Sequence, residues 1–432
     1  MQLAFILGRE PHLSIAELFA VLGDDADWGN AQLSGEALVL DLHHRGASPE
    51  AAAAVLMDRL AGVQKIATVL GHITRDAVRA DTIAQHISAS AHPDQRVRYG
   101  FSVYTLGGDA RAVEHVRKNI RQSTTDVKQR LESAGRKVRH VTSRDATLST
   151  VTVAEQKLLP EKNGVELAFL VTDDGIVLTR TLAVQPFKAW STRDYGRPRR
   201  DARSGMLPPK LARMMVNIAL GTTRPDAEGG ATLLDPFCGS GTILMEAMLL
   251  GIPRIIGTDV SAGAVADTQE NVEWVRRAAR AIAQYPTQTV SVTPCDIHGL
   301  VHCMTEPITT IATEPTLGPP QPRAASTRLP AELSTLYLDA FRQFAKVLKP
   351  GARVAFVFPQ ATHLHGLNPQ PFCAAVTALG FTQENPFPPA LRNHPVLKGK
   401  EHLPYARTNQ RVGRRILLFT RQRTDKQQTE RR

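Results

Sequence analysis

Thr232-Leu-Leu-Asp-Pro-Phe-Cys-Gly-Ser-Gly-Thr242 runs from a short apolar strand through an acidic, glycine-rich turn into the apolar segment Ile243 to Leu250. Leu233 and Leu234 read as the end of a buried parallel strand. Gly239 and Gly241 let the backbone pass close to a ligand, and the helix that follows points its first amides at that ligand. A nucleotide-like cofactor is expected there. No lysine follows the last glycine, as a phosphate-cradling loop needs, and the G-x-G-x-x-G spacing of dinucleotide folds is absent. Asp235 instead offers a carboxylate suited to a cationic group. An adenosine joined to a positive sulfonium and an amino group satisfies that turn, which points to S-adenosylmethionine.

Working downstream, strands are expected at Ala231 to Leu234, Arg254 to Thr258, Thr289 to Thr293, Thr309 to Thr313, Arg353 to Phe358 and Arg415 to Thr420, with helices between most of them. This alternation predicts an α/β fold, a doubly wound, Rossmann-like parallel sheet whose ligand lies at the carboxyl ends of its strands. Acids stand at or just past those ends. Asp259 lies where a carboxylate can grip ribose hydroxyls, and Asp296 where one can accept from an adenine amino group. Glu314 closes the series. Taken singly, each acid reads as a helix cap or loop residue; their succession argues for a site.

Upstream, the pattern is α+β. Strands are expected at Leu3 to Leu7, Ala37 to Leu42 and Lys65 to Leu70, and helices at Ile15 to Leu22 and Ala51 to Leu60. Ser14 is read as the N-cap of the first helix, with Glu17 at the capping-box position. A second unit follows: a strand at Arg98 to Tyr104, a long basic helix from Ala112 to Ala134, and strands at Val138 to Val141, Thr150 to Thr152, Glu166 to Thr172 and Gly175 to Ala183. Between Val184 and Arg203 the composition shifts to Pro, Arg and aromatic residues, which marks a boundary near Val184.

The formal charge of +11 and a pI near 9.7 favour a polyanionic partner, and its distribution says more than its sum. Lys400 to Arg432 holds ten basic and three acidic residues, Lys188 to Arg213 eight and two, and Arg111 to Arg139 nine and three. A single such run reads as a solvated face; three in different settings favour a long nucleic acid. Arg421 to Arg432 lacks apolar periodicity and is expected to be a mobile tail. Four cysteines without metal-ligand spacing predict free thiols in a reducing compartment and no metal. The N-terminal apolar run is too short for a signal peptide and no segment is long enough for a bilayer, so no membrane partner and a cytoplasmic location are expected.

Asp-Pro-Phe-Cys-Gly-Ser-Gly-Thr at 235 to 242, with Arg-Ser-Gly-Met-Leu-Pro-Pro-Lys-Leu-Ala at 203 to 212, resembles the THUMP-domain RNA methyltransferases, within them the type that makes N2-methylguanosine in tRNA. Arg411-Val-Gly-Arg-Arg-Ile is similar to their closing strand. The resemblance implies a ferredoxin-like unit over 1–70, a THUMP-like RNA-binding domain over 71–183, a methyltransferase domain over 184–420 and a basic tail over 421–432. It implies a cofactor site at Pro208, Asp235, Pro236, Phe237, Cys238, Gly239, Gly241, Thr242, Asp259, Val260, Asp296 and Ile297. Arg197, Arg199, Arg200 and Lys210 are candidates for RNA phosphate, each also readable as solvated surface. Trp190 and Tyr195 are read as packing the linker.

One loop departs from the family. Its usual Thr-Asp-Pro-Pro-Tyr-Gly is here Thr313-Glu314-Pro315-Thr316-Leu317-Gly318. The usual loop accepts hydrogen bonds from an exocyclic amine while its aromatic ring stacks on a flipped base. Glu314 and the Pro315 carbonyl keep the acceptors, with Thr316 and Leu317 completing the candidate catalytic residues. Leu317 gives apolar contact without stacking worth about 1–3 kcal/mol per base. Two rival readings stay open: an RNA-binding protein that keeps the cofactor fold with weak or lost catalysis, and a methyltransferase of ribosomal RNA or DNA.

Overall fold

The computed structural model describes residues 1–43, 46–143, 145, 147–200, 206–223, 230–281, 288–318, 328–361, 364, 366–406 and 412–423. By internal contacts the chain divides into two units. The first holds Met1–Ile15, Asp24–Lys188 and Pro388–Lys398, and the second Ala16–Gly23, Ala189–Phe387 and Gly399–Arg432.

The first unit is built on one eight-stranded sheet. In chain order its elements are β1 (Gln2–Leu7), α1 (Pro11–Leu22, of which the first five residues belong here), β2 (Ala26–Leu33), β3 (Ala37–Leu42), α2 (Pro49–Arg59), β4 (Val63–Ile73), α3 (Ala80–Ser90), β5 (Val97–Thr105), α4 (Ala110–Ser133), β6 (Val138–His140), α5 (Thr150–Glu155), β7 (Gly164–Val171) and β8 (Ile176–Val184). The sheet order is β2-β3-β1-β4-β8-β7-β5-β6. Helices α3 and α4 cover it through Ile83, Ile87, Val113, Val116 and Ile120, whose spacing puts them on one face of each helix.

Three expectations are corrected here. Thr150 to Thr152 opens α5 rather than a strand, because the Ser149 hydroxyl accepts from the Thr152 amide and caps a helix over β-branched residues. Ser14 lies inside α1, which begins at Pro11; its hydroxyl donates to the Gly62 carbonyl at 2.6 Å. Glu17, expected in a capping box, is buried and accepts from Asn217 at 2.7 Å. Strand β2 and helix α3 were not among the expected elements.

The second unit holds the rest of α1, resumes within α6 (Phe187–Tyr195) and continues through α7 (Pro209–Leu220), β9 (Thr232–Asp235), α8 (Thr242–Leu249), β10 (Arg254–Asp259), α9 (Ala262–Ala281), β11 (Thr289–Pro294), α10 (Leu300–Cys303), β12 (Ile308–Thr313), α11 (Leu329–Val347), β13 (Leu348–Gln360), α12 (Pro369–Ala378), β14 (Phe381–Glu384), β15 (Leu403–Tyr405) and β16 (Gly413–Arg421). The sheet order β11-β10-β9-β12-β13-β16-β14 reverses direction of winding at β9, and β15 pairs with β16. The doubly wound α/β class holds, and each of the six expected strands has its counterpart, β9 to β13 and β16. The sheet is mixed, however, and not wholly parallel. Strand β16 runs antiparallel to both β13 and β14. Phe341, Phe356, Phe372, Phe381 and Phe419 pack edge to face or stacked beneath that half.

Two of the four cysteines are not free as expected: Cys295 and Cys303 form a disulfide, while Cys238 and Cys373 are buried thiols. Residues 203–205 and 411 of the quoted motifs, and 424–432 of the expected tail, lie outside the described residues. Among the described residues no helix is long and apolar enough to cross a membrane.

Candidate active site

The glycine turn is fixed from below before any ligand is considered. Gly239 and Gly241 adopt positive φ of 53° and 80°, a region that costs other residues about 1–2 kcal/mol. The Gly241 amide donates to the Cys238 carbonyl at 2.7 Å, closing the turn. From α9, Thr268 donates to the Gly239 carbonyl at 2.6 Å and Asn271 to the Ser240 carbonyl at 2.8 Å. The two glycines then differ. A Cβ on Gly241 would meet the Thr268 methyl at 2.7 Å, whereas one on Gly239 would meet nothing within 4 Å. Gly239 therefore faces open space, on the wall of a cavity of about 860 Å³.

Fourteen of the sixteen expected cofactor and catalytic residues line that cavity: Asp235, Pro236, Phe237, Cys238, Gly239, Thr242, Asp259, Val260, Asp296, Ile297, Glu314, Pro315, Thr316 and Leu317. Pro208 and Gly241 do not. Pro208 precedes α7 as its N-cap residue, and Gly241 works from behind the turn.

The acids are in different states. Asp235 is 1% exposed. Its Oδ1 accepts from the Thr313 hydroxyl at 2.7 Å and from the Phe237 amide at 3.2 Å. Burial pushes its pKa up to about 7, with the nearby Asp259 and Glu314 carboxylates adding to the rise against those hydrogen bonds. Asp259 accepts from the Gly239 amide at 3.0 Å and from the Ser261 amide at 2.9 Å, so it braces the turn as well as facing the cavity. Asp296 accepts from the amide of His298 at 2.8 Å and pairs with its ring at 2.7 Å; these bonds lower the Asp296 pKa and raise that of His298.

Glu314 follows β12. Both its oxygens are taken by the guanidinium of Arg414 on β16, Nε at 2.5 Å and Nη2 at 2.9 Å. Farther along the loop, Tyr337 donates to the Thr316 carbonyl at 2.7 Å. Arg414, Tyr337, His298, Thr268 and Asn271 were missed in the sequence. Only Arg414 had a local signal, its place in Arg411-Val-Gly-Arg-Arg, and nothing in that run names Glu314 as its partner.

The basic candidates part company. Arg197 is corrected from a phosphate-facing residue: it is 3% exposed, and its guanidinium donates to the Thr242 hydroxyl at 2.6 Å at the start of α8. Arg193 and Arg213 turn inward too, each donating to buried Glu246 at 2.8 Å and lying over the Trp190 ring. Trp190 packs as expected. Arg199, Arg200 and Lys210 face solvent, Arg199 paired with Glu270 at 2.7 Å and Arg200 over the ring of Tyr195, which is 66% exposed rather than packed.

A cavity at strand ends, with a glycine open toward it, the buried carboxylate of Asp235 and the further acids Asp259, Asp267, Asp296 and Glu314, suits a ligand carrying both an adenosine and a cation. Residues 197–368 match the family described as UPF0020, RMKL-like, methyltransferase domain. This segment is a methyltransferase domain. The tRNA (guanine(10)-N2)-dimethyltransferase of Methanothermobacter thermautotrophicus is 28% identical over 278 residues, 63% of this chain and 68% of that one. The enzyme of the same name from Pyrococcus abyssi is 30% identical over 162 residues, 35% of this chain and 39% of its own length. TrmN from Thermus thermophilus shares the fold, with a TM-score of 0.53 at 18% identity over 98% of this chain and 100% of that one. The donor set around the cavity fits S-adenosylmethionine.

Proposed function

We propose that the chain is an S-adenosylmethionine-dependent tRNA methyltransferase that modifies the exocyclic N2 amine of a guanosine. The observation that carries this reading is the convergence, in one cavity, of the glycine turn with the Glu314-Pro315-Thr316-Leu317 loop. The names of the relatives supply the tRNA and the guanine. When bound, S-adenosylmethionine supplies an electrophilic methyl group and departs as a neutral thioether. Asp235 would face its cationic end, Asp259 its ribose hydroxyls and Asp296 its adenine amine, with Val260, 72% exposed, covered by the adenine. Glu314 and the Pro315 carbonyl would accept the two N–H bonds of the substrate amine, aiming its lone pair for attack. The amine forms the new N–C bond and gives up one proton to water. Leu317 would back the flipped base.

The N-terminal unit we read as ferredoxin-like over 1–70 and THUMP-like over 71–183, joined to a methyltransferase region over 184–420, with RNA as its ligand. A cleft of about 420 Å³ lined by Phe101, His140, Arg117 and Arg121 supports that, because a ring and two guanidiniums suit a base and its phosphate. Burial lowers the His140 pKa and keeps that ring neutral near pH 7.

One observation favours a second reading. With both Glu314 oxygens held by Arg414, the loop could serve binding alone. Incubating the chain with labelled cofactor and unmodified tRNA, then digesting to nucleosides, decides between them. N2-methylguanosine that disappears in Glu314→Ala supports the enzyme. Cofactor and tRNA binding with no methylated nucleoside supports the binding protein, and preference for ribosomal RNA or duplex DNA over tRNA would move the substrate.

A further inference from the structure

Glutamate at 314 puts its carboxylate one methylene farther from the backbone than the aspartate the loop resembles. The sheet shows what takes up that length. Strands β12, β13 and β16 lie side by side, Thr313 opposite Phe356 and Pro359 opposite Arg414. Arg414 thus reaches Glu314 across β13, two interstrand spacings or about 10 Å. Two long side chains span that gap, where an aspartate would fall a methylene short. The Arg414 side chain is 2% exposed and that of Glu314 16%, so the fork is largely screened from water. Tyr337 holds the loop at its other side, through the Thr316 carbonyl. The Pro315 carbonyl lies between the two pinned residues.

We propose that Arg414 is a positioning residue for methyl transfer: it grips the Glu314 carboxylate from behind, so that the remaining lone pairs of Glu314 and the Pro315 carbonyl stand as fixed acceptors for the exocyclic amine. This rests on the amine methylation proposed above. Arg414 touches neither substrate nor cofactor, and its effect passes through Glu314. The fork does not idle the loop but replaces, with a distant arginine, the rigidity that a shorter acid has by itself.

A double-mutant cycle on the full-length chain tests it. Arg414→Met is expected to lower the single-turnover rate on unmodified tRNA about 100-fold, the cost of a misplaced acceptor, with tRNA KM and cofactor Kd within about twofold of wild type. In a Glu314→Gln background the same change should cost less than about threefold more, since the group it positions is already gone. Arg414→Lys keeps a buried cation without the fork, so it guards against unfolding; a loss of about tenfold at unchanged Tm is expected. In the cofactor-free protein, amide exchange of residues 316–318 should speed up in Arg414→Met. Additive losses, full activity in Arg414→Lys, or a loss confined to cofactor Kd would overturn the proposal while leaving the methyltransferase reading intact. A wild-type chain that binds cofactor and methylates no RNA overturns both.

Discussion

Asp235 holds the site together at the scale of one side chain. It ends β9, is buried, and is tied through Thr313 to the loop that carries Glu314. Its pKa near 7 stands above the ordinary 3.8, so the folded state binds this proton more tightly than the unfolded one. The stability it contributes is therefore complete below about pH 4, falls as pH rises toward 7, and is level above that. Asp235→Asn, which cannot ionise, should flatten that part of a melting-temperature profile. Ligand binding should show the opposite slope. A sulfonium beside Asp235 favours the ionised form, so affinity for S-adenosylmethionine is expected to drop about tenfold per pH unit below pH 7 and stay constant above it. S-adenosylhomocysteine, which lacks the charge, is the control. Equal pH dependence of the two in titration calorimetry would show that Asp235 does not face the cationic centre.

At the scale of elements, the glycine turn depends on α9 as much as on its own residues. Gly241→Ala forces a left-handed backbone and drives a methyl into Thr268, which bonds the Gly239 carbonyl. Loss of about 2–3 kcal/mol and more than tenfold weaker cofactor binding are expected, and Thr268→Ser should recover part of both by vacating the methyl. Gly239→Ala, with open space around it, should show the backbone cost alone in the same melts. A Gly241→Ala protein that binds cofactor normally would mean that the turn tolerates a reshaped floor.

The same elements show where sequence reading succeeds. Ala37–Leu42 was legible because four of its first residues are apolar and buried, and β9 with α8 because a strand, two glycines and a helix adjoin in eleven residues. Strand β2 was not, since Gly29, Asn30 and Gln32 interrupt it and only Ala26, Trp28 and Leu33 of its eight residues are buried. In the site, residues carried by one loop could be read together. Thr313 and Asp235 lie 78 positions apart and Arg414 and Glu314 100, and side-chain partners at that range leave no periodic trace.

At the scale of the whole molecule, the charge of +11 overstates what is available to RNA, because Arg193, Arg197, Arg213 and Arg414 are spent inside the second unit. The remaining surface charge should still dominate affinity. Between 50 and 200 mM salt, tRNA binding is expected to weaken on the order of a thousandfold, the fall for about six released counterions. Filter binding across that range checks it; a salt-independent Kd would exclude phosphate contacts as the main source of affinity. Arg197→Ala, by contrast, should disturb α8 and cofactor binding and leave the salt slope as it was.

The division of the chain bears on how the protein is made. Pro388–Lys398, with buried Leu391 and Leu397, belongs by its contacts to the first unit, yet it is translated 200 residues after Lys188, where the main part of that unit ends. A ribosome extending the chain in order therefore completes most of the second unit's sequence before the last piece of the first emerges. The N-terminal unit must wait, with part of its surface uncovered, for Pro388–Lys398 to arrive.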